Sequence, residues 1–386
     1  MELSPQPTLE YGGRKQKMKI AQIAPLMESV PPRLYGGTER IVSYLTEGLV
    51  ALGHDVTLFA SGDSITAADL APCVPQALRL DPLIRDPIPY YMLMLDRVRR
   101  RAHEFDILHF HIDQFHFPIF RSMAGRTVTT LHGRQDLSDL LPLYVGFDDM
   151  PLVSISNAQR RPIPKANFAA TVHHGLPLDL HGSGDARKRN YLAFLGRISP
   201  EKRPDRAIAI ARALGIPLKI AAKVDKADEA YFRSEIAPLL QGSGVEFIGE
   251  INDQQKTEFL GNALALLFPI DWPEPFGLAM IEAMACGTPV LAFGCGSVPE
   301  IIDEGVTGAV VDTMAEAIAA VPRLIAFDRA KVRQRFEQRF SAERMAADYV
   351  TVYRELIASS APIDDEALRL PPVKRRSAQI LRPNFA

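Results

Sequence analysis

The sequence is poor in cysteine and in long apolar runs. Its 386 residues include three cysteines, Cys73, Cys286 and Cys295, which form no Cys-x-x-Cys pair, so neither a disulfide framework nor a cysteine-ligated zinc site is predicted. This cysteine usage is typical of a reducing compartment, and we expect the protein in the cytoplasm. Apolar runs such as 263–270 are far shorter than the ~20 residues of a transmembrane helix, and no membrane span is predicted.

A strong charge of one sign is also lacking. Lysine and arginine number 44, aspartate and glutamate 46, and the formal net charge is −2 at pH 7. A charge so close to zero creates no overall field that would attract nucleic acid or an anionic membrane. A nucleic-acid partner is therefore not predicted.

Short apolar or β-branched runs alternate with amphipathic stretches along most of the chain. This alternation is typical of parallel strands joined by crossover helices, and predicts an α/β protein. A polar, glycine-containing stretch at 179–190 interrupts the alternation and indicates a linker between two similar domains. We expect the first domain over 18–178 and the second over 191–340. Strands are predicted at 19–24, 55–60, 107–111, 127–131, 152–155, 191–195, 218–222, 245–248, 265–268 and 289–293, and helices at 38–52, 206–214, 228–240, 254–262 and 278–284.

Three further segments lie outside these domains. Residues 1–17 have neither the apolar core nor the cleavage site of a secretory signal, and we expect a disordered lead. Residues 341–358 carry Met345, Tyr349 and Tyr353 at helical spacing, which predicts a final helix. The proline-rich segment 359–386 contains a basic run at 374–376 and is predicted to be a flexible tail.

The densest pattern is EPFGLAMIEAMACGTP, from Glu274 to Pro289. Gly277 opens a predicted helix, so Glu274 lies on the loop before it and Glu282 inside it. Free backbone N–H groups and the positive end of the helix dipole can bind a phosphate or a sugar hydroxyl at such a place. An exposed helix whose glutamates merely favour its first turns is the alternative.

Two other loops carry residues suited to anions. Arg197 and Lys202 follow the strand at 191–195, where a guanidinium and an ammonium can converge on one anion. A solvated basic loop is the alternative. Gly36 and Gly37 precede the first helix and would let a phosphate approach the backbone, although a tight strand-to-helix turn explains the pair equally well.

These motifs resemble those of the retaining glycosyltransferases of family 4, also called glycosyl transferases group 1. The resemblance runs from about residue 18 to 357, and its most specific parts are the E-x7-E run at 274–289 and the G-R-x4-K motif at 196–202. It implies a GT-B fold, with two Rossmann-like doubly wound domains facing each other across a cleft and a C-terminal helix crossing back to the N-terminal domain. It also implies that a sugar passes from a UDP- or GDP-sugar donor to an acceptor, with retention of anomeric configuration and no metal. The sequence contains no Asp-x-Asp triplet, the metal-binding motif of the other main glycosyltransferase fold.

The resemblance assigns roles residue by residue. It places Glu274 and His132, the latter in T-L-H-G, beside the donor sugar, Glu282 on the ribose hydroxyls, and Arg197 and Lys202 on the diphosphate. His132, Glu274, Arg197 and Lys202 are accordingly expected to be catalytic. The remaining donor contacts that it implies are Gly36, Gly37, Ile251, Phe276, Gly277 and Leu278. A buried strand end is an equally good interpretation of Ile251.

Other histidines cluster at His109, His111 and His116. A metal site there would need further ligands, and histidines hydrogen-bonded at a strand end near the cleft are the better interpretation. No metal or other cofactor is expected. The element from Gly296 to Glu300 matches a Gly-x-x-Pro-Glu motif of the family and is interpreted as structural.

The acceptor is not identified by any motif, and a small molecule, a glycan and a lipid-linked acceptor all stay open. We expect it to contact first-domain loops at 88–101 and 136–150. Aromatic residues there would stack on it or pack on their own domain; they are Tyr90, Tyr91, Tyr144 and Phe147. The basic residues at 97–101 and 160–161 would meet an anionic acceptor or a membrane surface, with a solvated helix face as the alternative for the first run.

Two other functions stay open beside glycosyl transfer. One is a catalytically silent nucleotide-sugar-binding protein, and the other is a nucleotide-sugar epimerase, both on the same fold. A nicotinamide-dependent dehydrogenase is disfavoured because the G-x-G-x-x-G fingerprint is missing.

Overall fold

The computed structural model of the chain describes residues 17–33, 36–182, 184–185, 188–242 and 244–359. The predicted lead at 1–17, except Lys17, and the predicted tail at 359–386, except Ser359, lie outside the described residues.

The first domain is built on a seven-stranded parallel sheet. Its strands are β1 (Lys19–Ile23), β2 (Asp55–Ser61), β3 (Asp69–Val74), β4 (Ile107–Phe110), β5 (Thr127–Thr130), β6 (Leu152–Ser154) and β7 (Phe168–Thr171). Their order across the sheet is β3-β2-β1-β4-β5-β6-β7. The order reverses between β1 and β4, and such a switch point opens a crevice at the carboxyl ends of the strands.

The second domain repeats this winding with six parallel strands. They are β8 (Tyr191–Arg197), β9 (Leu218–Lys223), β10 (Val245–Gly249), β11 (Ala263–Phe268), β12 (Val290–Phe293) and β13 (Gly308–Val311), in the order β10-β9-β8-β11-β12-β13. Its switch point lies between β8 and β11. Two doubly wound α/β domains confirm the fold class expected from the sequence.

Helices cover the faces of both sheets. They are α1 (Gly37–Ala51), α2 (Ile88–Arg101), α3 (Phe117–Phe120), α4 (Leu140–Gly146), α5 (Asn157–Arg160), α6 (Pro204–Leu214), α7 (Glu229–Tyr231), α8 (Asp253–Gly261), α9 (Leu278–Ala285), α10 (Val298–Ile301), α11 (Met314–Ile325), α12 (Arg329–Arg339) and α13 (Ala342–Ser359). Among the residues described, no helix combines the length and the apolar character needed to cross a membrane.

Two predictions about secondary structure are wrong. The helix expected at 228–240 is broken: α7 passes into a π-helical turn over 232–236 and a 3-10 turn over 237–240. Pro238 lacks a backbone N–H and cannot donate the hydrogen bond that would continue an α-helix at that point, which explains the break. The stretches 88–101 and 136–150, both expected to be loops, contain the helices α2 and α4, and Tyr91 lies on the buried face of α2 with Met94 and Leu95.

The aromatic side chains of that region pack mainly on their own domain. The Tyr91 hydroxyl accepts a hydrogen bond from the backbone N–H of Leu26 at 3.0 Å. The buried Tyr144 donates to the Gln135 side-chain oxygen at 2.7 Å. These contacts favour the packing interpretation of both tyrosines over stacking on an acceptor.

The chain crosses between the domains at two adjacent points. The backbone N–H of Leu176 donates to the Phe340 carbonyl, and the N–H of Ala342 donates back to the Leu176 carbonyl, both at 2.9 Å. Gly175 permits this approach, because a Cβ atom there would lie closer than 3.0 Å to the Ser341 backbone. The predicted linker at 179–190 lies against the second domain where it is described: the Asp185 N–H donates to the Asn262 side chain at 2.8 Å.

The last helix returns to the first domain. α13 packs along α1, and Gly48 allows the close approach, since a Cβ atom at Gly48 would lie 2.8 Å from the Cβ of Ala346. Tyr349 and Tyr353 of α13 are fully buried against the first domain's sheet. The first domain therefore consists of two separate parts of the chain.

Candidate functional site

A cleft of about 480 Å³ lies between the two domains, at the carboxyl ends of their strands. Its two walls meet closely, since a Cβ atom at Gly37 would lie 3.4 Å from the Leu278 side chain. Every site residue that the sequence analysis named lines this one cleft: Gly36, Gly37, His132, Arg197, Lys202, Ile251, Glu274, Phe276, Gly277, Leu278 and Glu282. A depression of about 600 Å³ on the second domain, beside Tyr231 and Leu239, contains none of them.

Glu274 begins the segment 274–277, which is called the donor loop after the donor contacts that the family resemblance implies for it. Its side chain is only 10% exposed, and its Oε2 atom accepts hydrogen bonds from the Lys202 ammonium and from the Trp272 indole, the latter at 2.9 Å. The ammonium also lies 5.0 Å from the Trp272 ring centre and 5.6 Å from that of Phe268. Lys202 is thus held between a carboxylate and two aromatic faces, which orients its charge in the cleft.

The donor loop is supported from behind by Gly296 and Ser297. Gly296 has a φ of 59°, and a Cβ atom there would lie closer than 3.0 Å to the Glu274 backbone. The Ser297 N–H donates to the Glu274 carbonyl at 3.0 Å, and its hydroxyl donates to the Phe276 carbonyl at 2.9 Å. The element interpreted as structural in the sequence therefore fixes the position of the donor loop.

Arg197 ends β8 and faces three carboxylates. Its guanidinium donates to Glu201 at 2.6 Å and lies 3.7 Å from Asp225 and 3.5 Å from Asp228. Burial alone would raise the pKa of Glu201, but its own backbone N–H and Arg197 lower it below its ordinary value. The two cations of the G-R-x4-K motif therefore both lie in the cleft, and carboxylates of the chain compensate each of them.

Glu282 lies inside α9 and is 4% exposed. Its Oε1 atom accepts a hydrogen bond from Lys256 at 2.7 Å, and Lys256 also lies 3.3 Å from Asp253. Burial would raise the pKa of Glu282, but the charge of Lys256 and smaller effects of His181 and Arg40 lower it. The carboxylate is therefore ionised at neutral pH although it is buried.

The charged group of Glu282, Lys256 and Asp253 also joins the two domains, because Asp253 forms an ion pair with Arg40 of α1. The Arg40 side chain is 6% exposed. The Asp253 carboxylate thus lies between Arg40 and Lys256. Lys256 in turn donates a hydrogen bond to Glu282.

His132 follows β5 and lines the first-domain wall of the cleft. Its Nε2 atom lies 2.9 Å from Nδ1 of His111, and its ring stacks on His174 with ring centres 5.3 Å apart. Burial lowers the pKa of His132 to about 3, so the imidazole is neutral at pH 7. The Gln159 side chain donates to the carbonyls of Leu131 and Gly133, at 2.9 and 2.8 Å, and so fixes the backbone on both sides of His132.

The remaining histidines of the cluster are hydrogen-bonded in the first domain. His109 and His111 bond to neighbouring side chains at 2.7 Å, and His116 bonds to Thr129 at 2.9 Å. Within the described part of the chain, no three His, Cys, Asp or Glu side chains are grouped as metal ligands would be. This agrees with the interpretation as strand-end histidines near the cleft.

Sequence reasoning missed three residues that shape the site. Trp272 and Lys256 hold the two signature glutamates, and Gln159 fixes the loop that carries His132. A signal for Gln159 was present, because Ser156-x-x-Gln159 has the spacing of a helix-capping box. The Ser156 hydroxyl caps α5 by accepting from the Gln159 N–H at 3.1 Å. Trp272 and Lys256 stand in no comparable local pattern.

Two family profiles match the chain. The profile described as Glycosyltransferase Family 4 matches residues 35–163, and the one described as Glycosyl transferases group 1 matches residues 181–340. Together they cover most of both domains. They include every residue that the sequence analysis named and that lines the cleft.

A curated relative is the D-inositol 3-phosphate glycosyltransferase of Mycolicibacterium smegmatis. It is 29% identical over 267 residues, which cover 63% of this chain and 58% of the relative. The chain spans about half the length of the curated relatives it matches.

Solved structures share the fold over nearly the whole chain. Sucrose-phosphate synthase from Thermosynechococcus elongatus has a TM-score of 0.72 at 20% identity, over 89% of this chain and all of that one. HepE of Anabaena, solved in complex with UDP-glucose, has a TM-score of 0.66 at 16% identity, again over 89% of this chain and all of that one.

Proposed function

Because the chain belongs to the family 4 glycosyltransferases and has their two-domain GT-B fold, we propose that it transfers a sugar from a nucleotide-sugar donor to the hydroxyl of an acceptor. The observation that carries this proposal is the convergence of His132, Arg197, Lys202, Glu274 and Glu282 on one interdomain cleft. The HepE complex with UDP-glucose supports a UDP-sugar donor, with a GDP-sugar as the alternative.

The donor is proposed to lie along the second-domain wall. The ionised carboxylate of Glu282 is suited to accept hydrogen bonds from the two ribose hydroxyls. Arg197, Lys202 and the backbone N–H groups at the start of α9 would stabilise the negative charge that develops on the departing diphosphate. The loss of one such preorganised donor commonly costs ~3–4 kcal/mol of transition-state stabilisation.

We further propose that the transfer retains the anomeric configuration of the donor sugar and needs no metal. The Glu274 carboxylate accepts hydrogen bonds from Lys202 and Trp272 at its Oε2 atom, which fixes the orientation of the carboxylate in the cleft. We therefore assign it to positioning the sugar, with the acceptor attacking from the face of the departing diphosphate. The charge of the leaving group is assigned to Arg197, Lys202 and α9, so no metal is required.

The acceptor is assigned to the first-domain side of the cleft, as a small molecule, a glycan or a lipid-linked compound. The outer face of α2 exposes Met92 and Leu93, which are 65% and 67% exposed, and its last turn is basic. This combination favours peripheral membrane contact if the acceptor is lipid-linked. Three free cysteines support the cytoplasm as the compartment.

Donor binding tests the proposal first. The protein is titrated with UDP-glucose, GDP-mannose and ADP-glucose, with the parent nucleotides and with the free nucleosides in EDTA, by calorimetry and by the emission of Trp272, the chain's only tryptophan. One series is expected to bind. Lys202→Ala should weaken binding of the phosphate-bearing ligands alone, and Glu282→Ala should weaken binding of the nucleoside as well.

Lys188→Ala is the control, because Lys188 forms an exposed ion pair with Glu258 outside the cleft. Identical titration curves for the wild type, Lys202→Ala and Glu282→Ala would overturn the residue assignments. Product analysis then separates the alternatives: a new glycoside with the donor's anomeric configuration supports retaining transfer, and a rearranged free sugar indicates an epimerase. Binding without turnover of any acceptor supports the silent nucleotide-sugar-binding protein.

A further inference from the structure

A chain of buried hydrogen bonds leads from the last helix to His132. The Tyr353 hydroxyl of α13 lies 3.1 Å from the side-chain nitrogen of Gln22 in β1. The side-chain oxygen of Gln22 lies 2.7 Å from Nε2 of His111, and Nδ1 of His111 lies 2.9 Å from Nε2 of His132. Four separate parts of the sequence thus meet beneath the cleft.

The residues in this series of hydrogen bonds are buried and uncharged. Gln22 and Tyr353 are 0% exposed and His111 is 3% exposed. Burial lowers the pKa of His111 well below its ordinary value, and it does the same to His109, which packs beside it with ring centres 4.1 Å apart. Each imidazole therefore carries one N–H and one bare nitrogen, and the neighbours decide which nitrogen has the proton.

The direction of the hydrogen bonds follows from Gln22. Its side-chain oxygen can only accept, so Nε2 of His111 donates and Nδ1 of His111 is bare. A bare Nδ1 can only accept, so Nε2 of His132 carries the proton and Nδ1 of His132 has none. At the other end, the Gln22 amide nitrogen donates to the Tyr353 hydroxyl, and with the amide in this orientation its oxygen lies towards His111.

We propose that Gln22 and His111 are positioning residues that set the tautomer of His132, so that its bare Nδ1 accepts a hydrogen bond from a hydroxyl group of the donor sugar. The role towards the sugar rests on the proposed function, whereas the tautomer is a property of the protein by itself. A neutral acceptor nitrogen suits a hydroxyl group and not a phosphate oxygen, because only the hydroxyl can donate. His132 is thereby assigned to the sugar and separated from the cations that bind the diphosphate.

The tautomer is tested without any ligand. In protein labelled with 15N-histidine, two-bond 1H–15N correlations distinguish an Nε2-protonated ring from an Nδ1-protonated one. His132 is assigned by the signal lost in His132→Gln. We expect the Nε2–H form in the wild type and a mixture of tautomers in Gln22→Met, which removes the amide but keeps the size of the side chain.

Two substitutions at His111 distinguish the effect of its hydrogen bonds from the effect of its packing. A glutamine at position 111 can still accept from His132 and donate to Gln22, so His111→Gln should keep the Nε2–H form of His132. A leucine can do neither, so His111→Leu should lose it. Thr129→Val is the matched control, because it removes the partner of another buried histidine, His116, outside this chain of hydrogen bonds.

The role towards the sugar is tested by comparing two ligands. UDP lacks the sugar, so Gln22→Met and His111→Leu should leave its affinity unchanged while weakening UDP-glucose about fivefold, the scale of one hydrogen bond. The turnover number with UDP-glucose should fall about tenfold or more, as is typical when the group orienting a functional histidine is lost. His111→Gln should restore most of both, and Thr129→Val should change neither.

The outcomes are decisive in separate ways. An Nδ1–H or doubly protonated His132 in the wild type would overturn the tautomer assignment, as would an unchanged tautomer in Gln22→Met. Equal weakening of UDP and UDP-glucose would overturn the assignment of His132 to the sugar. If the wild type binds no nucleotide sugar, the proposed function fails, and the resonances of His132 still decide the tautomer.

Discussion

The Glu300 carboxylate of the second domain accepts a hydrogen bond from the backbone N–H of Asn157 in the first domain, with 2.7 Å between the two atoms. The Ala158 N–H donates to the other carboxylate oxygen at 2.6 Å, and a ring nitrogen of His173 lies 3.6 Å away. Beside this contact, the Ser156 hydroxyl donates to the Pro275 carbonyl of the donor loop at 2.7 Å. The same few residues therefore join the domains and hold the donor loop.

Glu300→Gln should weaken this interdomain contact. Hydrogen bonds to a charged group contribute ~1.5–3 kcal/mol each when well formed, and a glutamine keeps part of them, so we expect a loss of ~1–2 kcal/mol in the free energy of unfolding. Urea unfolding measures it. Glu337→Gln is the control, because Glu337 pairs with Arg333 within a single helix. An equal effect of both substitutions would contradict an interdomain role.

The effect of Glu300→Gln should depend on pH. Burial alone would raise the pKa of Glu300, but His173 and the backbone N–H groups of Asn157 and Ala158 lower it below the ordinary value of 4.5. A lowered pKa means that the stabilisation is complete above 4.5 and is lost as the pH falls through the lower folded value. The difference in unfolding free energy between wild type and Glu300→Gln should thus shrink as the pH falls below 4.5, which urea unfolding at several pH values measures.

Gly296→Ala should displace the donor loop. The added Cβ would collide with the Glu274 backbone, and we expect weaker UDP-glucose binding in calorimetry while the fold is kept. Gly305→Ala is the matched control, since Gly305 also has a positive φ, 75°, but a Cβ there meets no atom within 4 Å. Both substitutions carry the ~1 kcal/mol cost of the backbone conformation, so only Gly296→Ala should change binding.

Gly48→Ala should destabilise the protein although alanine favours helices. The higher helix propensity contributes ~1 kcal/mol in favour of the variant, but the collision with Ala346 across the α1–α13 contact should cost ~1–3 kcal/mol. Adding Ala346→Gly should recover the loss, and urea unfolding of the four proteins measures the coupling. Independent, additive effects would show that this close approach is unimportant.

Lys256→Met should make nucleotide binding depend on pH. Without the Lys256 ammonium, burial dominates and the pKa of Glu282 rises, so its carboxylate becomes protonated as the pH is lowered. Calorimetry at pH values about one unit apart should then show the affinity of the variant for UDP falling from pH 8 to pH 6. The affinity of the wild type should stay nearly constant over the same range. Lys188→Met, which removes a lysine from an exposed ion pair, should behave as the wild type.

The interior of each sheet could be predicted from the sequence, whereas several edges could not. The strands missing from the prediction are β3, β7 and β13, and each lies at the edge of its sheet. Edge strands bury less surface and so lack the continuous apolar run of a central parallel strand. β3 even contains Pro72, which a central strand excludes and an edge tolerates.

The cleft residues could be predicted because local motifs carry them. The run at 274–289 and the loop at 196–202 each bring a site residue with its neighbours along the chain. The groups that orient them come from far away in sequence: Gln22 and His111 are 89 positions apart, and Tyr353 is 331 positions from Gln22. No spacing rule connects such residues, so the arrangement around His132 needed the structure.

The two points at which the chain crosses between the domains, at Leu176 and Ala342, also determine the order in which the domains can be completed during synthesis. The first domain is begun first on the ribosome but can be completed only after the whole second domain, since α13 and its tyrosines are translated after that domain. At ~5–20 residues per second, the stretch between the two crossings takes roughly ten to thirty seconds to translate. During that interval Gln22 and His109 have no tyrosine partner and the face of α1 around Gly48 is uncovered, so the interior of the first domain stays incomplete until α13 packs on it.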